Sequence, residues 1–503
     1  MGIPYYFYNL TKIYNSILIK NLDINADIYC MDFNGIIHPV AAQFLNTDKI
    51  IENLWNKIIE YSNLLAPQKV IICVDGVAPL AKIIQQRKRR YLTTYRNKID
   101  NVEIKWDTNA ITPGTTFMNK LNIYIKNKIR YNTSNIIYNY SGSDKVGEGE
   151  HKIFNILKNV DDDKKIIIHG LDADLIILSL MSHKHHIYLM REQNNELSEA
   201  EYNYLDILEL RKAIISELIN EWSLDKSDYS DIFSDNSKDL IESYCVMCSL
   251  LGNDFIPHIL NLNLKSNGLE KLINLTGTSI NKNGLLILNS VINYKCLTDI
   301  FTQLSISEDK DIYNDTEKYL NKKYHNSKLP SEFYAIRNKD IISKEIYSDP
   351  SRWKHIYYKE LFRTNIYTDS KIIINACSNF IKGIYWTYSY YKYNIIDHSW
   401  YYPYIYPPIV KDIANHCIGN SEPVIIKNGD FISNDIQLLI VLPKSSNNLL
   451  KKKLKKYTED IDLGLCHMYP DDYKIRTYLK THLWECSPVL PKINIKYIEN
   501  IIK

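Results

Sequence analysis

Five short β-branched runs restrict what this chain can fold into: IYCMDF (28–33), VIICVD (70–75), IIYNY (136–140), KIIIHG (165–170) and HIYLM (186–190). They are mostly apolar at consecutive rather than alternate positions, so they need cover on both faces. Segments with helical periodicity separate them, 48–65 and 114–130 among them. A parallel strand pair needs a crossover long enough to hold a helix, so this alternation builds a parallel sheet. The expected fold is α/β: a largely parallel central sheet flanked by helices, with a helical, tyrosine-rich C-terminal region.

A chain of 503 residues has room for two to four domain-sized units. The sequence divides into 1–300, a polar insertion or linker at 301–330, and a tyrosine-rich second region at 331–503. Acid-rich stretches at 223–239 and 305–328 read as surface loops, and LLKKKLKKY (449–457) reads as an exposed amphipathic helix. Charged residues at 24% and hydrophobic ones at 45% are globular values and exclude a disordered chain. A net charge of +3 points to no class of partner. Nine cysteines, only two of them in a CxxC pair (Cys245 and Cys248) with no second pair to complete a zinc site, indicate free thiols in a reducing compartment. No apolar run reaches the ~18 residues of a membrane span, and MGIPYYFYNL lacks the basic and apolar regions of a leader. No membrane partner is expected. The expected compartment is the cytoplasm or the nucleus, with the cytoplasm as default.

Acids gather where the strands end. Asp32 closes the first run and Asp75 the second, while Asp172 and Asp174 follow the fourth. Glu148 and Glu150, in VGEGEHK, follow the third by a short loop, and Asp254 stands in a Gly-Asn-Asp turn after an apolar helix. Open α/β sheets place their ligands at the carboxyl ends of the strands. Taken singly, each acid fits an ordinary role: Asp172 as a helix N-cap, Glu148 and Glu150 as first-turn acids facing the helix dipole. Seven carboxylates on one edge would repel one another unless cations neutralised them. Mg²⁺ favours carboxylate and water oxygens, and two such ions form the clamp of many nucleases. The glycines flanking Glu148 and Glu150 give backbone freedom for aiming both side chains at one point.

The segment 81–98 holds seven basic residues and no acid. Lys82, Gln86, Arg89 and Arg90 stand at i, i+4, i+7 and i+8, a narrow stripe of donors suited to phosphate oxygens. The bland alternative is a solvated helix face.

The series MDFNGIIHP, VDGVAPLAKIIQQRKRRY, NAITPGTTFM, GEGEHKI, GLDADLIIL, YLMRE and LLGNDFIPHI resembles the motif series of the XRN-type 5′→3′ exoribonucleases, in family order. SWYYPYIYPP, QLLIVLP and WECSPVLP continue the match through the second half, so the resemblance spans nearly the whole chain. It implies a PIN/flap-nuclease-like sheet and a short form consisting of the catalytic core. The implied activity is processive hydrolysis of single-stranded, 5′-monophosphorylated RNA to 5′-mononucleotides by a monomer with two Mg²⁺ ions, Mn²⁺ being able to substitute. By carry-over, Asp32, Asp75, Glu148, Glu150, Asp172, Asp174 and Asp254 correspond to the metal-binding, catalytic acids. Lys82, Gln86, Arg89 and Arg90 correspond to the pocket for the 5′-monophosphate. His38 and Trp400, which alone read as a packed histidine and a core tryptophan, correspond to a facing pair that stacks on the first bases. Val146 stands where the family usually has proline, and Leu80 where it usually has arginine. Neither replaces a metal ligand.

Two alternatives have sequence tests. A flap-endonuclease-like DNA nuclease would carry a glycine-rich helix–two-turn–helix after its last metal ligands, and IPHILNLNLKSNGLEKL shows no such pattern. A non-catalytic RNA-binding scaffold would lack one of the acids, and all seven are present.

Overall fold

The computed structural model describes residues 3, 5–20, 26–103, 106–170, 172–193, 201–323, 330–367, 369–420 and 424–502. Seven strands form the central sheet: β1 (Leu18–Lys20), β2 (Ile28–Asp32), β3 (Lys69–Cys73), β4 (Ile137–Ser141), β5 (Lys165–His169), β6 (His186–Gln193) and β7 (Glu201–Asp206). Their order is β1-β7-β6-β5-β2-β3-β4. Neighbours from β6 to β4 are parallel, and only β7 and β1 are added antiparallel. All five apolar runs become strands within one to three residues of their expected limits, whereas β1 and β7 carry no comparable run.

Both faces of the sheet are buried, which explains the unbroken apolar runs. Cys30 packs with Ile71, Cys73, Ile166 and Ile168 on the face covered by the helices Ala173–Ser182 and Asp235–Cys248. Tyr29 and Met31 point the other way, against Val70, Ile72 and Ile167 beneath Thr47–Leu65 and Thr116–Arg130. Because β2 lies between β3 and β5, the winding reverses there, and a crevice opens at the carboxyl ends of these strands.

The C-terminal half grips the basic helix Leu80–Asp100. Arg87 is 2% exposed and donates to the carbonyls of Met468 and Pro491. The Tyr473 hydroxyl donates to the Tyr91 carbonyl at 2.7 Å. Leu80, where the resembling family has arginine, is buried with Ile436 and Leu439. Arg87 is thus a structural cation inside a basic run.

One expectation is corrected. The stretch read as a polar linker carries a helix, Glu308–Asn321. Ile312, Thr316 and Tyr319 recur at i, i+4 and i+7 and are buried, a stripe that the acids around it conceal. Glu308 itself is 1% exposed, and its carboxylate accepts the Val410 and Lys411 N–H groups at 2.6 and 3.1 Å. Residues 324–329 of that stretch lie outside the described residues. Similarly, 223–239 contains the short turn Lys226–Tyr229 and the start of the helix Asp235–Cys248. The lysine-rich run forms the helix Lys452–Glu459, with Leu454 and Tyr457 buried and its lysines outward. Among the described residues, no helix is long and apolar enough to cross a membrane.

Candidate functional site

The structure brings all seven acids to the crevice. Asp32 ends β2, Asp75 lies just past β3, and Glu148 and Glu150 open the helix Gly149–Leu157 after β4. Asp172 and Asp174 open Ala173–Ser182 after β5. Asp254 follows the turn Ser249–Leu251, in a loop held by the Asn253 side chain, which accepts the Phe255 and Ile256 N–H groups at 2.9 Å each. The charges feel one another directly. Asp32 is raised well above the carboxylate range, by burial first and then by Asp75, Asp172 and Glu148, with Lys82 opposing. Burial likewise raises Glu150 well above its ordinary value; Lys82 opposes it, while Asp174, Glu148 and Asp32 add to it. Glu148 and Asp174 are raised too, by burial and then by neighbouring acids against Lys82. Asp254 behaves differently: burial works against its charge, but the ion pair and hydrogen bond with Lys82 pull it down to about 2.

The capping roles that each acid could fill alone are not taken up. Glu148 and Asp172 occupy N-cap positions, yet neither side chain makes a cap hydrogen bond. The Gly149 N–H is instead taken by Asp75 Oδ1, across from another strand, at 2.7 Å. Gly147 has φ +97°, a left-handed conformation that favours glycine. At Gly149 the need is space: a Cβ would stand 2.5 Å from Asp32 Oδ1 and 3.0 Å from the Cys73 carbonyl. Gly149→Ala is therefore expected to displace Asp32 and Asp75, costing about 1–3 kcal/mol in stability together with most of the activity. Urea unfolding and an RNA degradation assay would check this, and an active, equally stable variant would contradict it.

Two lysines hold the crevice together. Lys82, on the first turn of the basic helix, pairs with Glu148 at 2.6 Å and Asp254 at 2.9 Å. It was expected in the phosphate stripe with Gln86, Arg89 and Arg90. The structure turns it into the acid cluster, because two carboxylates lie within reach and offset the desolvation of its charge. Lys152, the lysine of GEGEHK, is buried and donates to the Val74 and Gly142 carbonyls at 2.8 and 2.9 Å, joining the loops after β3 and β4.

Three contributors were not singled out in the sequence. The long helix Lys371–Tyr393 reaches the crevice with its last turns: the Tyr390 hydroxyl donates to Glu148 and the Tyr391 hydroxyl to Asp174, both at 2.7 Å. The partners stand 242 and 217 residues apart in the chain, and spacing gives no signal for such pairs. The third is His151, whose ring stacks on Tyr390 with centroids 3.7 Å apart. Its only sequence signal is its place directly after Glu150.

A divalent cation fits this cluster. Glu148, Glu150 and His151 each offer a ligand atom within 4.8 Å of the others, and all three are buried. Asp32 Oδ1 and His151 Nε2 are buried without hydrogen-bond partners. The remaining donors are carboxylate oxygens, the ligands of hard divalent ions.

Beside the acids, Gln86 and Arg90 are half-buried and Arg89 is exposed along the basic helix. Arg90 Nη1 is buried and lacks a hydrogen-bond partner. Burial lowers the Arg90 pKa to about 10, with Asp107 opposing and Arg89 adding to the shift. His38, on the helix Asn34–Ala41, is exposed. Desolvation and then Arg89 and Arg90 lower its pKa, with Asp75 opposing. Among the described residues no direct ring contact joins His38 to Trp400. Trp400 is 6% exposed and packs on Trp386 at 5.3 Å, within the core that the tyrosine-rich helix shares with the sheet. A cleft of about 450 Å³ is lined by Asp254, Lys88, Arg89, Lys265, Lys480 and Trp484.

The site is an acid-crowded sheet edge beside a basic helix, in an α/β protein. The sequence matches the XRN 5'-3' exonuclease N-terminus over residues 1–193 and the Xrn1 helical domain over 235–352 and 337–500. The chain belongs to the XRN 5'-3' exonuclease family. It is 27% identical to human 5'-3' exoribonuclease 1, over 99% of this chain and 34% of that protein. It is 22% identical to 5'-3' exoribonuclease 2 of Gallus gallus, over 98% of this chain and 69% of the relative. With 5'-3' exoribonuclease 1 of Saccharomyces cerevisiae it shares 23% identity, over 99% of this chain and 42% of the relative. The chain thus spans about a third of the length of the human protein. Among solved structures it is similar to the catalytic core of Rad2 in complex with DNA substrate, at 12% identity and a TM-score of 0.33, covering 89% of this chain and 99% of that one. That similarity is too low to bear on the fold.

Proposed function

We propose that this chain is a metal-dependent 5′→3′ exoribonuclease that degrades single-stranded RNA bearing a 5′-monophosphate to 5′-mononucleotides. The observation that carries the reading is the juxtaposition of seven converging carboxylates with Arg90, whose buried Nη1 lacks a partner. Family membership supplies the direction and the substrate class, since the relatives are named 5'-3' exoribonucleases.

Gln86, Arg89 and Arg90 grip the terminal phosphate with charge-assisted hydrogen bonds, which fixes the end of the strand next to the acids. The exposed His38 offers an aromatic face to a base, a contact that tolerates any sequence. Asp32, Asp75, Glu148, Glu150, Asp172, Asp174 and Asp254 would hold divalent cations, two Mg²⁺ in the form proposed, which would supply Lewis-acid polarisation of the scissile phosphate. Tyr390 and Tyr391 hold Glu148 and Asp174 in place, and Lys82 spaces Glu148 from Asp254. The nine free cysteines, eight of them buried, suit a reducing compartment, and we place the protein in the cytoplasm.

End selection tests the reading. RNAs of one sequence carrying 5′-phosphate, 5′-hydroxyl or 5′-triphosphate are expected to decay in that order, the first far ahead of the others. Equal rates would contradict the proposal.

The acids also predict a pH signature. Asp32 and Glu150 are raised above their unfolded-chain values, so the stability they contribute is complete below about pH 4 and is lost as pH rises through those raised values. Asp254, held at about 2, acts in the opposite sense and only as pH falls from about 4 to 2. Chelator-treated protein is thus expected to lose thermal stability through this cluster as pH rises above the ordinary carboxylate range. Cations bind the deprotonated carboxylates and restore it. The rise in Tm on adding Mg²⁺ should be larger at pH 8 than at pH 5; an equal or smaller rise would count against the cluster as a cation site.

A further inference from the structure

Glu148 and Glu150 share their surroundings with a nitrogen donor that an all-oxygen Mg²⁺ site does not require. His151 is 5% exposed, and its Nε2 is buried with no hydrogen-bond partner. An orphaned buried donor or acceptor costs about 1–3 kcal/mol, so a ring left this way in a polar cluster calls for a partner. The ring has little freedom to turn away and find another. Tyr390 lies against its face with centroids 3.7 Å apart and planes 20° apart, and Tyr391 stands nearly parallel at 5.9 Å. Tyr390 is itself anchored through its hydroxyl to Glu148. What the stacked imidazole presents to the cluster is its edge, with a ring nitrogen within 4.8 Å of carboxylate oxygens of both Glu148 and Glu150. Two ligands on one ion, each bound at about 2.0–2.2 Å, lie up to roughly 4.3 Å apart. Movements of a few tenths of an ångström therefore bring the three atoms onto a common ion.

Ligand type then decides which ion is preferred. Mg²⁺ keeps to oxygen donors and holds several waters, whereas imidazole favours first-row transition ions. From this geometry we infer that His151 is a nitrogen ligand of the metal centre, and that the position it shares with Glu148 and Glu150 takes Mn²⁺ in preference to Mg²⁺. The inference rests on the reading of the cluster as a metal centre. It adds a ligand and a metal preference to that reading.

Electron paramagnetic resonance with Mn²⁺ tests it without reference to turnover. The full chain is stripped with chelator, loaded with one equivalent of Mn²⁺, and examined for nitrogen couplings by electron spin-echo envelope modulation. A ¹⁴N coupling of a directly bound imidazole is expected, and it should convert to a ¹⁵N coupling in protein grown with ¹⁵N-histidine. In His151→Gln the coupling should vanish and the Mn²⁺ affinity fall by at least about tenfold, while Mg²⁺ affinity, measured by competition, changes by less than about threefold. The isotope experiment uses the unaltered chain, so it decides the matter even if the variant folds poorly. Bound Mn²⁺ with no nitrogen coupling would overturn this inference alone. Equal loss of Mn²⁺ and Mg²⁺ affinity in a folded His151→Gln protein would reduce His151 to a packing role and overturn it as well. No Mn²⁺ binding at all would overturn both this inference and the metal centre beneath it.

Discussion

Glu150→Gln is expected to abolish hydrolysis while leaving RNA binding nearly unchanged. The substitution keeps the shape of the side chain and removes one negative charge from the centre of the cluster. Lewis-acid polarisation of the scissile phosphate contributes several kcal/mol, so a misplaced ion should lower the rate on the order of 10³-fold or more. The strand is gripped elsewhere, by Gln86, Arg89 and Arg90, so its affinity should stay within about threefold. A second readout separates loss of the site from loss of the fold. Glu150 is buried among Asp174, Glu148 and Asp32, which raise its pKa beyond the effect of burial while Lys82 opposes them. Removing its charge relieves repulsion, so the chelator-treated variant should melt at a higher temperature than the parent at pH 8. Function here is held at a cost in stability. A variant that turns over normally, or an inactive one that is merely destabilised, would argue against this account.

Arg90→Ala is expected to remove the preference for a 5′-phosphate. Its Nη1 lies buried without a partner, and burial has already lowered its pKa to about 10. Such a cation is costly to keep unless an anion reaches it. A charge-assisted hydrogen bond contributes about 1.5–3 kcal/mol, so kcat/KM on 5′-phosphate RNA should fall roughly 10- to 100-fold. Decay of 5′-hydroxyl RNA should hardly change, so the ratio between the two substrates collapses. The double variant Arg89→Ala, Arg90→Ala should lose more. Equal losses on both substrates would mean that Arg90 supports the fold rather than the end.

The parts of the site legible in sequence were those set by rules of short range. Asp32, Asp75, Asp172 and Asp174 follow apolar runs that can only be buried parallel strands, and the carboxyl ends of such strands open on one crevice. Glu148 and Glu150 join them because a short loop leaves no other place to go. The donor stripe of the basic helix follows from helical periodicity, but the direction of each side chain does not. Lys82 turns toward two carboxylates that come from other elements, and Arg87 turns to carbonyls some 380 to 400 residues away. Tyr390 and Tyr391 are two of many tyrosines, and only the packing of Lys371–Tyr393 against the sheet distinguishes them. Trp400 shows the same limit from the other side: its place in a motif carried an expectation of stacking, and its burial against Trp386 came from packing that no local pattern encodes. The helix Glu308–Asn321 is hidden in the sequence because its acids dominate the composition while three buried residues at helical spacing hold it down.

The most direct test of the central claim follows one single-stranded RNA labelled at its 5′-phosphate and, in parallel, at its 3′ end, with Mg²⁺ present. A 5′→3′ exonuclease acting from this site releases the 5′ label as a mononucleotide from the first time point, while the 3′-labelled strand passes to small products without a ladder of internal cuts. A ladder of shortened 5′-labelled fragments, or internal fragments from either label, would contradict it.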